Sequence, residues 1–174
     1  MKKQLIASIM VVSFLVSGCS KNITAVEYNN LLVEYAGDCS LAQNMMRQAI
    51  EEKNYTLTKT LYEASLSTCK SVQKSVSETK EFGGDASLRD ATNALLLAEV
   101  AYLEKFGESL IYREKSEDSD FSEADKADYE RIAGELLLLQ ETSADAGKTL
   151  LETQTSFSEQ HQYILSTAST EEGE

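Results

Sequence analysis

The chain of 174 residues has no proline and no tryptophan, a single histidine, and only eight glycines. Proline is the residue that removes a backbone donor and clashes with the preceding helical turn, so its absence leaves helices uninterrupted from within. Gly83-Gly84 is the one glycine pair, which gives tight turns built on positive φ one obvious place to form. No Asn-Gly turn and no sustained apolar/polar alternation occurs, so hairpin and strand signals are missing. The lone histidine, His161, rules out the paired Glu-x-x-His motifs of two-metal bundles. Cys-x-x-Cys, a haem-attachment Cys-x-x-Cys-His, a glycine-rich phosphate loop and a nucleophile elbow are all absent. On its own helical face His161 has Phe157 and Gln154 rather than metal ligands, and it reads as a surface or rim residue. These absences point to a protein that is not an enzyme and needs neither cofactor nor metal.

Positive charge is also scarce, with 16 Lys and Arg against 29 Asp and Glu and a net charge of −13. Such a body is repelled by nucleic acid and by anionic lipid, so no nucleic-acid partner is expected. A basic protein patch or a cation is the natural complement, although acidic residues on the solvated faces of helices are the commoner arrangement.

What remains is rich in good helix formers, and the apolar residues recur at helical spacing. Leu32, Ala36, Cys39, Met46 and Ile50 form a first stripe, with Gln43 in its one polar slot. Tyr55, Tyr62, Cys69 and Val76 recur every seven residues in a second. Leu88, Ala91, Leu95, Ala98, Tyr102 and Phe106 make a third. Tyr129, Leu136, Leu150, Phe157 and Ile164 share one heptad phase in a fourth, broken by Ser143. Breaks fall at Lys53-Asn54, with Asn54 as a helix cap, at Gly83-Gly84-Asp85, with Asp85 as the next cap, and at 116–120. Ser122 and Asp125 then have capping-box spacing. Short connections make successive helices antiparallel, so the expected fold is all-α: an antiparallel up-down four-helix bundle with a long fourth helix.

The first nineteen residues are of another kind. Lys2 and Lys3 precede a largely apolar run, Leu5–Val16, which is too short to span a bilayer at about 20 residues. Val16-Ser17-Gly18-Cys19 follows directly, and the whole has the layout of a secretory signal. Those four residues resemble the lipobox of bacterial lipoproteins. The resemblance implies cleavage before Cys19, diacylation of its sulfur, and a protein attached to the membrane through an N-terminal lipid anchor. Ser20, Lys21 and Asn22 follow the cysteine rather than an Asp, which by the same resemblance implies the outer membrane, with the body in the periplasm or on the cell surface. Removing 1–18 takes two lysines and no acid, leaving a mature net charge of −15. The expected organisation is a signal peptide at 1–18, a lipidated tether at 19–25, the bundle at 26–165 and a frayed acidic tail at 166–174.

Cys39 and Cys69 are the remaining cysteines, each fifteen residues from Asn54. An antiparallel pair turning there brings them level, and an oxidising compartment favours a disulfide between them. Two buried free thiols are the other reading. Helix three, near 86–115, spans about 45 Å and helix four, near 123–165, about 65 Å. Phe157 and Ile164 therefore lack partners on helix three, so helix four either bends near 143–147 or projects. The projecting end makes Phe157 and Ile164 candidates for contact with a protein partner. The runs Leu136–Leu139 and Leu95–Leu97 read as helix buried on more than one side, with an apolar slot between helices three and four as the alternative. Two functions fit: a membrane-anchored accessory or interaction protein, or a carrier holding an apolar or cationic small ligand within the bundle.

Overall fold

The computed structural model describes residues 23–116 and 121–165. Cys19 and its leader, most of the tether and the acidic tail lie outside them. Four helices follow in order: α1 Ala25–Glu51, α2 Tyr55–Glu78, α3 Ser87–Ser116 and α4 Glu123–Gln160. They form an antiparallel up-down four-helix bundle with a long fourth helix. The hairpin pairs α1–α2 and α3–α4 make the most extensive interfaces, with α2 on α3 next and α1 also approaching α3. Close approaches between α1 and α4 are few.

Local chemistry sets the ends. Thr24 and Glu27 form a capping box that starts α1 inside the stretch expected to be tether. Asn54 accepts from the Leu57 N–H at 3.1 Å and opens α2. Lys53 just before it takes a left-handed φ of 53°, which lets the chain reverse across the three residues between the helices. Ser122 and Asp125 form the capping box of α4, as their spacing predicts. Asp85 accepts from the Ser87 N–H at 2.8 Å at the start of α3. The glycine pair does not end α2, which stops at Glu78. Gly83 and Gly84, at φ of 60° and 88°, instead make a two-residue turn closed by paired backbone bonds between Phe82 and Asp85. That turn sets the Phe82 ring against the end of the core.

The core follows the heptad stripes, with Leu32, Cys39, Met46, Cys69, Val76, Leu88, Phe106, Leu150 and Phe157 all buried. Tyr55, at the start of α2, and Ile164, beyond the end of α4, are stripe residues that are exposed. Leu96, Leu103 and Ile132 are buried outside the expected stripes, because a bundle helix has two flanks and each meets a neighbour. The leucine runs are not buried all round. Leu137, Leu138 and Leu97 are exposed, while Leu136 packs against the core from its edge. Cys39 and Cys69 form a disulfide across α1 and α2, with their Cα atoms 4.7 Å apart.

Candidate functional site

At the end of the bundle where α1 begins, the last turn of α4 does not project. Phe157 is 1% exposed and sits among rings, with Tyr28 at 5.8 Å, Phe82 at 5.8 Å, His161 at 4.4 Å and Tyr163 at 6.3 Å between centroids. Phe157 as a surface contact residue is therefore corrected. Its partners come from α1 and from the Gly83-Gly84 turn, neither of which the pairing of α3 with α4 takes into account. The helix also ends sooner, at Gln160, with His161 as its cap and a left-handed φ of 55° at Gln162. This turns Tyr163 back towards Phe157 and leaves Ile164 95% exposed. Of the two interaction candidates, Ile164 alone is exposed.

His161 is half-buried rather than a free rim residue, its ring edge-on to Phe82 at 5.0 Å. Its Nε2, the Tyr28 hydroxyl and the Tyr163 hydroxyl are all buried and find no hydrogen-bond partner among the described residues. Burial raises the Tyr28 and Tyr163 pKa values, since a phenolate there would lose its hydration. Beside this cluster runs an open cleft of about 490 Å³ lined by Ile23, Tyr28, Leu31, Phe82 and the residues around the turn.

Midway along the bundle lies a polar node. Gln43 Nε2 on α1 donates to Glu99 Oε2 on α3 at 2.5 Å, and Ser143 Oγ on α4 donates to Glu99 Oε1 at 2.5 Å. The two polar interruptions of the apolar stripes thus serve one carboxylate. A cleft of about 330 Å³ opens over it, lined by Gln43, Arg47, Glu99, Tyr102, Gln140 and Ser143. Nearer the start of α1, Gln154 on α4 donates to Asn29 on α1 at 3.2 Å. These bonds span the α1–α4 gap where close packing is sparse. Glu99 carries no stripe signal of its own, so sequence periodicity misses it, although the two gaps it fills are visible.

The opposite end carries charge. Lys115 pairs with Asp125 at 2.7 Å, tying the end of α3 to the start of α4. Lys105 bridges Glu108 and Glu135, both at 2.8 Å, and Arg131 holds Glu135 at 2.7 Å. No group of three or more His, Cys, Asp or Glu side chains among the described residues is arranged to hold a metal ion. No helix among them is long and apolar enough to cross a membrane. No protein-family model, curated protein or solved structure matches the chain.

Proposed function

We propose that the chain is a lipoprotein anchored at the outer membrane of a bacterium through Cys19, with its helical body in the periplasm or on the cell surface. There it serves as a non-catalytic accessory factor that binds another protein. The observation carrying this reading is the leader, Lys2-Lys3, then an apolar run, then Val16-Ser17-Gly18-Cys19. The Cys39–Cys69 disulfide agrees with export, since such bonds persist in oxidising compartments. Two or more acyl chains on Cys19 give stable attachment where one would be marginal.

Ile164 supports the interaction role, being an almost fully exposed isoleucine at the end of the bundle where α1 begins. A photo-crosslinking residue at 164, introduced in the native host, tests it. One dominant crosslinked protein is expected, and mass spectrometry of that band identifies the process. A folded, anchored chain that yields no specific crosslink contradicts the role.

The carrier reading rests on a different observation, the cleft over Glu99. A carboxylate that receives two neutral donors among the described residues retains acceptor capacity for a small ammonium ligand. Spermidine or putrescine should then raise the melting temperature of the native chain and not that of Glu99→Gln. Equal melting curves with and without polyamine would remove this reading.

A further inference from the structure

The core-facing stripe is one of two on α4. Ala133, Leu137, Gln140, Ala144, Gly147, Leu151 and Gln154 follow a 4,3,4,3,4,3 spacing and include no charged residue. This is a second heptad seam, on the flank of α4 that looks towards α1: Gln154 bonds to Asn29, and Gln140 shares a cleft with Gln43 and Arg47. In a closed bundle that flank would be covered by α1. Here α1 and α4 approach closely at few points, and Leu137 and Leu151 stay 64% and 65% exposed.

We propose that a second copy of this chain covers this seam, α4 lying antiparallel to the partner's α4 about a two-fold axis at Ala144. The seam is self-complementary about that residue. Leu137 and Leu151 each lie seven positions from Ala144, so the two-fold sets Leu137 opposite the partner's Leu151 and Ala144 opposite itself. Exchange of identical patches is what an isologous interface requires. Ala144 and Gly147 carry little or no side chain at the crossing, so the two helix backbones have room to approach there.

Charge selects the partner and its orientation. A body of net charge −13 repels its own copy, and two copies can meet most easily where charge is missing. On the rim of the seam the antiparallel register places Lys148 within one residue of the partner's Glu141, and the two-fold makes that pair twice. Among the described residues of one chain, Lys148 pairs with Glu152 alone, at 3.9 Å and well exposed, so it is available to re-pair. From Ala133 to Gln154 the seam is about 33 Å long at 1.5 Å per residue. With the edge of α1 beside it, a strip about 20 Å wide is available, two helices at 8–10 Å spacing. That gives roughly 650 Å² per copy, close to the roughly 800 Å² of a standard interface.

The test uses the full-length protein, purified and exposed to a mild oxidant. Ala144→Cys on the axis should crosslink to itself as a dimer of twice the monomer mass. Thr149→Cys, exposed on the opposite side of α4, should not. Leu137→Cys mixed with Leu151→Cys should crosslink more than either alone. In sedimentation, the unsubstituted protein should run as a dimer and Leu151→Asp as a monomer with the same circular dichroism. The proposal is overturned if Ala144→Cys crosslinks no better than Thr149→Cys, or if the unsubstituted protein sediments as a monomer.

Discussion

Gln43 on α1 and Ser143 on α4 hold opposite oxygens of a single carboxylate, that of Glu99 on α3. Each occupies a position where its heptad stripe calls for an apolar side chain. A polar layer of this kind fixes which turn of each helix faces which, because any slip leaves a buried polar group unpaired.

The node predicts asymmetric costs. Glu99→Ala leaves the Gln43 amide, 7% exposed, with a long contact of 3.8 Å to Cys39 Sγ in place of its carboxylate acceptor, and should cost about 1–3 kcal/mol. Replacing all three residues together by Leu, Leu and Ala should cost far less than the sum of the single changes, since no buried group is then left unsatisfied. Urea melts of the single and combined variants measure the difference. Additive losses would show that the three side chains do not act as one layer.

Phe157 and Ile164 share a heptad phase and should behave oppositely. Phe157→Ala removes a ring at the centre of the aromatic cluster and should destabilise by about 3–5 kcal/mol. Ile164→Asp should leave stability within about 0.5 kcal/mol, as an exposed change away from packing does. Thermal melts monitored by circular dichroism compare them directly.

The sequence pattern reveals most of the scaffold and little of the node or the aromatic cluster. Helix caps at Asn54 and Ser122, the level placement of Cys39 and Cys69, and the four stripes depend on residues close in the chain, so periodicity reaches them. The end of α4 is different. It turns at Gln162, a residue with no Gly or Pro signal, and Phe82, from a remote part of the chain, packs against the His161 ring at that turn. Pairing α3 with α4 alone leaves Phe157 without a partner, and α1, through Tyr28, and the Gly83-Gly84 turn, through Phe82, supply its partners. The exposed halves of the leucine runs have the same origin, because a hydrophobic run does not say how many neighbours its helix has.

The disulfide closes a separation of 30 residues between α1 and α2. In the chain-entropy picture this limits the unfolded chain and contributes about 3–4 kcal/mol. The Cys39→Ser/Cys69→Ser variant should fold to the same helical content with its unfolding midpoint lowered accordingly. Dithiothreitol should reproduce that shift in the native chain and have no effect on the variant.

Acid should loosen the junction between α3 and α4. The Lys115 ammonium and the Ser122 hydroxyl and N–H hold the Asp125 carboxyl at about 2, below its ordinary 3.8. A carboxyl depressed in the folded state contributes stability that is fully present above its unfolded pKa and is lost as pH falls through its folded one. The contribution should therefore be intact above about pH 4 and fade towards pH 2. Lys105 and Arg131 lower Glu135 in the same direction. Asp125→Asn should be less stable than the native chain at neutral pH, with the gap closing between pH 4 and 2. A gap unchanged across that range would show that Asp125 does not act through its charge.

The most direct test of the account is intact-mass and N-terminal peptide analysis of the protein recovered from bacterial membranes. A mature chain beginning at Cys19 and carrying a diacylglyceryl group is expected, with Cys19→Ala lost from the membrane fraction. A chain that keeps residues 1–18, or that is cut elsewhere with an unmodified Cys19, would contradict the anchor and the function built on it.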